Sequence, residues 1–514
     1  MAWRSVISRD YILPERVQIF DTTLRDGEQT PGVALTKNAK VEIARALDEL
    51  GVDIIEAGFP TVSKGEEEAI KEITKERLNS KICVLARANK LDIDKAIECE
   101  VDWVHIFIAT SDIHLKHKLK MSREEVIEKA ARMVEYAKDH GLIVHFSAED
   151  STRTDLEYLV TVFKEVEKAG ADSIDIPDTV GFAIPSAIKM IVSTVKKNVK
   201  IPIAVHCHDD MGLAVANSLA AVEAGAEIIH GTINGLGERA GNASLEEIVV
   251  ALHTLYGIQT NVKLEKIYRV SRLVEKLTGV MVPKNKAIVG ENAFSHESGI
   301  HVHGVISSPQ TYEPIEPESV GRKRKIILGK HSGKHSVEKL AKQFGVRLSE
   351  EQIDKVLKEI KMRGDLGHKI NENIFLEILK NVVDLSNVDR KAEIQEVCLH
   401  TLKDRTIALV HLNIMGEDYV LAGCGRNDID ALVNIYDECL DKISKFNISD
   451  YRIWLPPSPQ MISESEITLC RKNDEEVVGR GVHNSHSIAF VQAFVNALNQ
   501  LLEEGWENDR NVRC

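Results

Sequence analysis

The stretch PIAVHCHDDMGLAVANSLAAVEAGAEIIHGTI, residues 202–233, decides the fold. It opens on a β-branched run (202–207), passes through a polar turn, and continues in an Ala/Leu/Val-rich segment that stops at Gly225. A second β-branched run, EIIHGTI (227–233), follows. Strand, crossover helix and parallel strand need about this much chain. Upstream the same unit recurs at 17–21 (VQIFD), 52–57 (VDIIEA), 82–86 (ICVLA), 103–109 (WVHIFIA), 142–147 (LIVHFS) and 172–176 (DSIDI). The starts are 21 to 39 residues apart, room for a helix each time. Residues 37–50 place Val41, Ala44, Leu47 and Leu50 at helical spacing before Gly51, and 123–140 and 154–169 end likewise at Gly141 and Gly170. Eight strand–helix units in roughly 260 residues predict an α/β fold, a (β/α)8 TIM barrel, over residues 1–283.

Beyond 283 the rhythm breaks. Residues 284–388 are read as linker subdomains: an irregular part with glycines, prolines and Tyr312, then a helical pattern over 335–382 interrupted near Gly364 and Gly367. Residues 389–514 form a third region with two strand-rich blocks, each closing on a glycine turn and a helix, from Tyr419 and from Glu476. Gly423-x-Gly425 aligns with Gly479-x-Gly481, either a degenerate duplication or two ordinary βα turns. Composition excludes several classes. The 514 residues carry a net charge of −14, which argues against a nucleic-acid partner. No apolar run approaches the ~18 residues of a membrane span, and the first residues lack a signal-peptide core. Eight cysteines without a CxxC pair suit reduced thiols in a cytoplasm better than a disulfide framework.

A barrel of this kind works at the C-terminal ends of its strands. The first run leads into Asp21-Thr-Thr-Leu-Arg25-Asp26-Gly-Glu28, and the second ends at Glu56. The fourth contains His105, the fifth ends Ser147-Ala-Glu149-Asp150 and the sixth Pro177-Asp178-Thr179. The seventh ends His206-Cys-His208-Asp209, and the eighth leads to Gly235-Leu-Gly237-Glu238-Arg239-Ala-Gly241-Asn242. His206 and His208, two apart on a strand, project from one face. A carboxylate such as Asp26 and the Asn after the eighth strand would complete a divalent-metal site for Mg²⁺, Mn²⁺, Co²⁺ or Zn²⁺. Taken alone, His-x-His is equally the mark of a solvated pair or a core histidine, and His105 also reads as an interior histidine. Arg25 beside Asp26 would set a fixed positive charge where an oxyanion or enolate develops, or make an ordinary ion pair with Glu28 or Glu56.

At these residues the chain resembles the metal-dependent Claisen-condensing barrel enzymes, the family of 2-isopropylmalate, homocitrate and citramalate synthases. The resemblance rests on FDTTLRDGEQTPGV (20–33), IEAGFP (55–60), HIFIATSDIHL (105–115), FSAEDSTRTD (146–155) and IPDTVG (176–181). It continues in HCHDDMGLAVANSLAAVEAGA (206–226), GLGERAGNASLEE (235–247) and AFSHESGIH (293–301). It implies Asp26, His206, His208 and Asn242 as metal ligands, Arg25, His105 and Thr179 as contacts to a 2-oxo acid, and Glu149 with His301 as the base acting on acetyl-CoA. It further implies that His301 and Tyr312 reach the active site of the other subunit in a homodimer. The last region is then an amino-acid-sensing, α+β regulatory domain with leucine as its expected allosteric effector.

Within the family, EAGFP, HIFIATS, IPDTVG and HDDMGLAVANS resemble most the enzymes that take 2-oxoisovalerate in the first committed step of leucine biosynthesis. Pyruvate (citramalate, the isoleucine pathway) is the second expectation and homocitrate synthesis a third. Outside this class stand a lyase of the same superfamily, whose strand-8 loop cysteine is missing from 234–245, and a non-catalytic metabolite sensor. Some positions depart from the pattern. His303 stands where Asp is usual, and 425–428 and 482–486 match the effector loops poorly. The cluster Arg322-Lys-Arg-Lys325 reads as a salt-bridged or solvated face, or as a hold for CoA phosphates.

Overall fold

A computed structural model describes residues 13–343, 346–367, 370, 372–382, 391–443, 446–454, 463–471 and 476–503. By contacts the chain divides into two units, one holding residues 1–295 and 313–325, the other 296–312 and 326–514.

The first unit is a closed barrel of parallel strands in sequential order. These are β1 (Gln18–Asp21), β2 (Ile54–Glu56), β3 (Lys81–Arg87), β4 (Trp103–Ala109), β5 (Ile143–Glu149), β6 (Ser173–Asp178), β7 (Ile203–Cys207) and β8 (Ile228–Gly231). The chain forms the TIM barrel expected from the eight runs. Its outer helices include α1 (Lys37–Leu50), α2 (Lys64–Lys75), α3 (Lys90–Glu98), α4 (Arg123–Asp139), α5 (Leu156–Lys168), α6 (Pro185–Lys196), α7 (Ala214–Glu223), α8 (Leu245–Ala251) and α9 (Ile267–Thr278). In α1 the Thr36 side chain caps the first turn, and Gly51 ends the helix at φ 93°, a left-handed conformation that glycine adopts without strain. Its core face is Ile43, Ala44, Leu47 and Leu50, with Val41 at the edge. The sequence reading had the right period but was rotated by part of a turn.

Along each strand alternate side chains enter the barrel. Phe20, Ile54, Cys83, Ala204 and Ile228, with Trp103 against them, fill one apolar layer of the interior. His105, His145 and His230 pack next to it, with Phe20 stacked on His230 at a ring separation of 4.2 Å.

The second unit opens with α10 (Gly299–Ser307), a helix inside the part read as irregular. The helices α11 (Lys334–Gln343), α12 (Glu350–Asp365) and α13 (Glu372–Val382) follow. A β-β-β-α order then appears twice. The first copy is β9 (Ala392–Thr401), β10 (Thr406–Ile414), β11 (Glu417–Gly425) and α14 (Asp428–Ile443). The second is β12 (Phe446–Trp454), β13 (Ser463–Arg471), β14 (Glu476–His483) and α15 (His486–Glu503). Each copy has its own antiparallel three-stranded sheet, and the two share one core. No helix among the described residues is long and apolar enough to cross a membrane.

Candidate active site

Asp26 sits in the turn after β1, its backbone N–H bonded to the Thr22 carbonyl. The turn is fastened by Asp21, whose carboxylate accepts from the Thr23 N–H and hydroxyl at 2.9 Å each. Burial pushes the Asp21 carboxyl up to about 7. Arg25 forks between two carboxylates, Nη1 donating to Asp26 Oδ2 at 2.5 Å and Nε to Glu56 Oε2 at 2.6 Å. Across the barrel mouth, His206 Nε2 lies 3.3 Å and His208 Nε2 3.9 Å from the same Asp26 oxygen. The two imidazoles stand 3.2 Å apart. Burial works against the Asp26 anion, but Arg25 and the two histidines outweigh it and hold its carboxyl well below the usual range. Burial, with His206 adding to it, drives His208 down to about 3, so its ring is neutral at physiological pH.

Asn242 completes the group. Its Nδ2 donates to the Leu236 carbonyl at 2.9 Å, which fixes the amide, and His208 pairs with Asn242 in an isolated bridge. Both Asn242 Oδ1 and Asp26 Oδ1 are buried without a hydrogen-bond partner. They flank Gly237, where a Cβ would lie 2.1 Å from Asn242 Nδ2 and 3.1 Å from Asp26 Oδ1. Two buried acceptor oxygens without donors, beside two imidazoles, are the donor set a divalent cation needs. Asp26, His206 and His208 each offer a ligand atom within 4.8 Å of the others. The residues therefore fit the ion that the sequence reading implied. Beside Arg25 opens a cleft of about 460 Å³, lined by Gln29, Lys37, Lys40, Phe59 and Ser63 among others.

The other expected residues fall in three places. His105 is 3% exposed, with Nδ1 2.7 Å from Glu56 Oε1 and Nε2 2.5 Å from Ser147 Oγ, so both ring nitrogens already have protein partners. Glu149, at the end of β5, receives both of its oxygens' bonds from Lys118 Nζ at 2.6 and 2.8 Å. The Thr179 hydroxyl accepts from the neighbouring Asp150 N–H at 2.9 Å. His301 and Tyr312 belong to the second unit, where their rings stack with centroids 4.1 Å apart. His303, the departure from the family pattern, lies against His335 in the same unit.

The cluster 322–325 is largely committed to packing. Arg322 donates to the carbonyls of Ile288, Gly290 and Glu291 and lies over the Tyr268 and Phe294 rings. Arg324 forks onto Glu313 at 2.7 and 2.5 Å. Sequence reasoning offered Glu56 as an ion-pair partner of Arg25, which it is, but missed its contact to His105 and gave Ser147 no role. The signal for Glu56 was a lone carboxylate closing an apolar three-residue strand; Ser147 gave none.

Residues 16–274 match the HMGL-like family. Residues 288–368 match the homocitrate synthase post-HMGL domain-like family, and 370–502 the LeuA allosteric (dimerisation) domain. A probable 2-isopropylmalate synthase of Methanopyrus kandleri is 49% identical, the alignment covering 95% of this chain and 99% of the relative. The chain belongs to the family of 2-isopropylmalate, citramalate and homocitrate synthases. Members of this synthase family condense acetyl-CoA with a 2-oxo acid and depend on a divalent metal. Names diverge within it at comparable likeness. An (R)-citramalate synthase of Methanocaldococcus jannaschii is 46% identical over 95% of this chain and 99% of its own. A homocitrate synthase of Methanopyrus kandleri is 55% identical over 73% of this chain and 95% of its own.

Proposed function

We propose that this synthase uses 2-oxoisovalerate as acceptor and forms 2-isopropylmalate. The observation that carries the site reading is the pair of partnerless buried oxygens, Asp26 Oδ1 and Asn242 Oδ1, beside His206 and His208. These four residues hold the ion, which when bound polarises the keto group of the 2-oxo acid. Arg25, pinned by Asp26 and Glu56, keeps a guanidinium where negative charge develops on the acceptor oxygen. His105 and Thr179 border the acceptor. In a homodimer with shared active sites, His301 of one subunit, its ring held against Tyr312, works with Glu149 of the other as the base that takes the methyl proton of acetyl-CoA.

The choice of acceptor rests on the strand faces. Leu85 pairs in register with His105, and Phe107 lies two residues further along β4, so both share the inward face of His105. That side offers apolar surface to a branched alkyl group. Arg87, the cation ending β3, is forked onto Asp92 at 2.8 and 2.9 Å, so the second carboxylate of 2-oxoglutarate would find it engaged. A homodimer with shared active sites and leucine as effector completes this reading, supported by the match to the dimerisation domain.

Thiol release from acetyl-CoA, measured against 2-oxoisovalerate, pyruvate, 2-oxoglutarate and oxaloacetate, tests the acceptor. 2-Oxoisovalerate should give the highest kcat/KM, and a lead for pyruvate would reassign the enzyme to citramalate synthesis. His301→Ala should lower kcat far more than it raises KM for the 2-oxo acid; unchanged turnover would remove His301 from the base role. Calorimetry with leucine tests the effector, and no heat would mean a different ligand.

A further inference from the structure

A second buried group lies inside the barrel. His105, His145 and Asp175 place ligand-type atoms within 4.8 Å of one another. Both nitrogens of His105 are taken by Glu56 and Ser147, and those of His145 by Ser173 at 2.7 Å and His230 at 3.1 Å. Hydrogen bonding therefore accounts for the cluster without an ion. The Ser147 hydroxyl is the pivot, 2.5 Å from Asp175 Oδ2 on one side and 2.5 Å from His105 Nε2 on the other.

Counting protons across these contacts restricts what the group can be. Ser147 has one proton to donate. If it donates to an ionised Asp175, the contact to His105 requires a proton on Nε2. His105 Nδ1 faces the Glu56 carboxylate and carries a proton as well, so the ring is an imidazolium. If instead Asp175 is protonated and donates to Ser147, the hydroxyl donates to Nε2 and His105 is neutral. Both arrangements contain the same number of protons. Interconversion breaks the Asp175 O–H as Ser147 takes that proton, and breaks the Ser147 O–H as Nε2 takes its own.

We propose that Asp175 is a positioning residue for the condensation, sharing one proton with His105 through the Ser147 hydroxyl. The proton shifts onto His105 as negative charge grows at the acceptor, and returns when the charge is gone, with no proton drawn from solvent. This rests on the reading of the barrel mouth as the condensation site. The geometry suits the task, since Asp175, Ser147, His105 and Glu56 are all buried and the chain runs on through Glu56 to Arg25. Asp175 Oδ1 has no partner, so the residue is tied to the protein through Ser147 alone among the described contacts of its carboxylate. The titratable or charged groups facing the relay are Asp21 and Arg25 from the end of β1 and its turn, Cys83 from β3, His145 from β5, His206 from β7 and His230 from β8. Burial raises the Asp175 carboxyl above its ordinary value.

Asp175→Asn keeps the shape but cannot exchange a proton: its amide donates to Ser147, which then donates permanently to Nε2. In the full-length enzyme with Mn²⁺ supplied, kcat should fall roughly 10- to 100-fold. KM for acetyl-CoA and Mn²⁺ affinity should stay within about twofold, as they involve groups outside the relay. Nitrogen NMR of ¹⁵N-histidine-labelled enzyme, with His105 assigned by its own replacement, should show Nε2 become a pure acceptor in Asp175→Asn. Ser147→Ala, which removes the pivot, should also disconnect the His105 signal from Asp175 and serves if the first variant does not fold. Unchanged kcat, or His105 shifts identical in wild type and Asp175→Asn, would overturn the proposal. Should the wild type release no thiol with any 2-oxo acid, the functional reading fails, and the NMR comparison still decides the relay.

Discussion

Inside the barrel, Asp26, Glu56, His105, Asp175, His206 and His230 are all buried. In the core shared by the two β-β-β-α repeats, the buried side chains are Val410, Leu412, Leu432, Phe490, Phe494 and their apolar neighbours. Tyr436 stacks there on Phe494, with ring centroids 3.7 Å apart. Both regions exclude water, but among the described residues only the barrel of the two buries carboxylates and imidazoles, each costing several kcal/mol to desolvate unless paired. Aliphatic residues would fill the barrel without that cost, as they fill the repeats. Buried carboxylates with orphan oxygens therefore mark the barrel interior as the place equipped for chemistry, and the core of the repeats as a packed support.

The largest effect that would break this contrast comes from Asp26→Asn. The substitution preserves volume and the contact to Arg25 in outline, but removes the charge that opposes the guanidinium and completes the ligand set. Turnover should fall by roughly 10³-fold or more, while circular dichroism keeps the spectrum of the folded enzyme and the melting temperature drops as buried Arg25 loses one of its two carboxylates. Chelation of the wild type should produce the same loss, reversed by Mn²⁺ or Mg²⁺. Full turnover in thoroughly stripped enzyme would place the chemistry elsewhere.

A smaller effect is expected at Gly237, where the backbone has φ 153° and a Cβ would strike the Asn242 amide. Gly237→Ala leaves every proposed ligand in the sequence but displaces Asn242. Metal affinity should weaken roughly 10- to 100-fold, measured by Mn²⁺ titration, with turnover recovering at high metal concentration. If excess Mn²⁺ restores nothing, Asn242 serves the substrate rather than the ion.

The balance of buried histidines can also be read by acidification. Burial lowers His208 to about 3 and pushes His145 and His230 well below their ordinary value of 6.5. Between the folded and unfolded values the unfolded chain binds more protons, so stability rises with pH across that window. Asp21 opposes this, because its carboxyl, raised from 3.8 to about 7, makes the folded chain bind the extra proton there. Burial raises the carboxyls of Asp175, Glu66, Asp209 and Glu246 in the same sense as Asp21, so the histidine contribution is read by difference. On acidifying metal-free enzyme from about pH 6.5 toward 4, the melting temperature of wild type should fall relative to that of His208→Gln, which lacks one group that the unfolded chain protonates. Parallel curves would show that His208 is not a site of that protonation.

How much of this was legible in the sequence depends on what each feature requires. Strand runs such as WVHIFIA (103–109) are set by local composition, and β4 spans those same residues. The grouping of Asp26, His206, His208 and Asn242 followed from the barrel rule that strand ends share one rim. The chain Glu56–His105–Ser147–Asp175 was hidden, because which residues of a fully buried strand face inward depends on register with its neighbours, such as His105 against His145. The helix α10 was hidden for a local reason. GIHVHGVIS carries two glycines and four β-branched residues in nine positions, a composition that disfavours a helix until packing imposes it. Its His301 was found only by resemblance.

The smallest effect sharpens the other side of the contrast. In β14, a Cβ on Gly481 would lie 1.9 Å from the Ala489 carbonyl oxygen and 2.6 Å from the Ala493 nitrogen. Gly479 is pressed equally hard against Ala493 and Ala497. In the first repeat Gly423 and Gly425 meet Ile435 and Ala431 of α14. These glycines let a helix lie directly on a strand, so the aligned Gly-x-Gly pairs mark close packing in both repeats. The atoms in the way at Gly481 are backbone, which cannot rotate aside as a side chain would. Gly481→Ala must lift α15 from β14 and should cost about 1–3 kcal/mol in stability, seen as a lowered melting transition. Turnover per folded molecule should be unchanged at saturating substrate and metal, because no group of the barrel is altered. A loss of kcat in leucine-free enzyme with stability intact would mean that the packing of the repeats acts on the barrel even without an effector, and the division between chemistry and packing would then have to be abandoned.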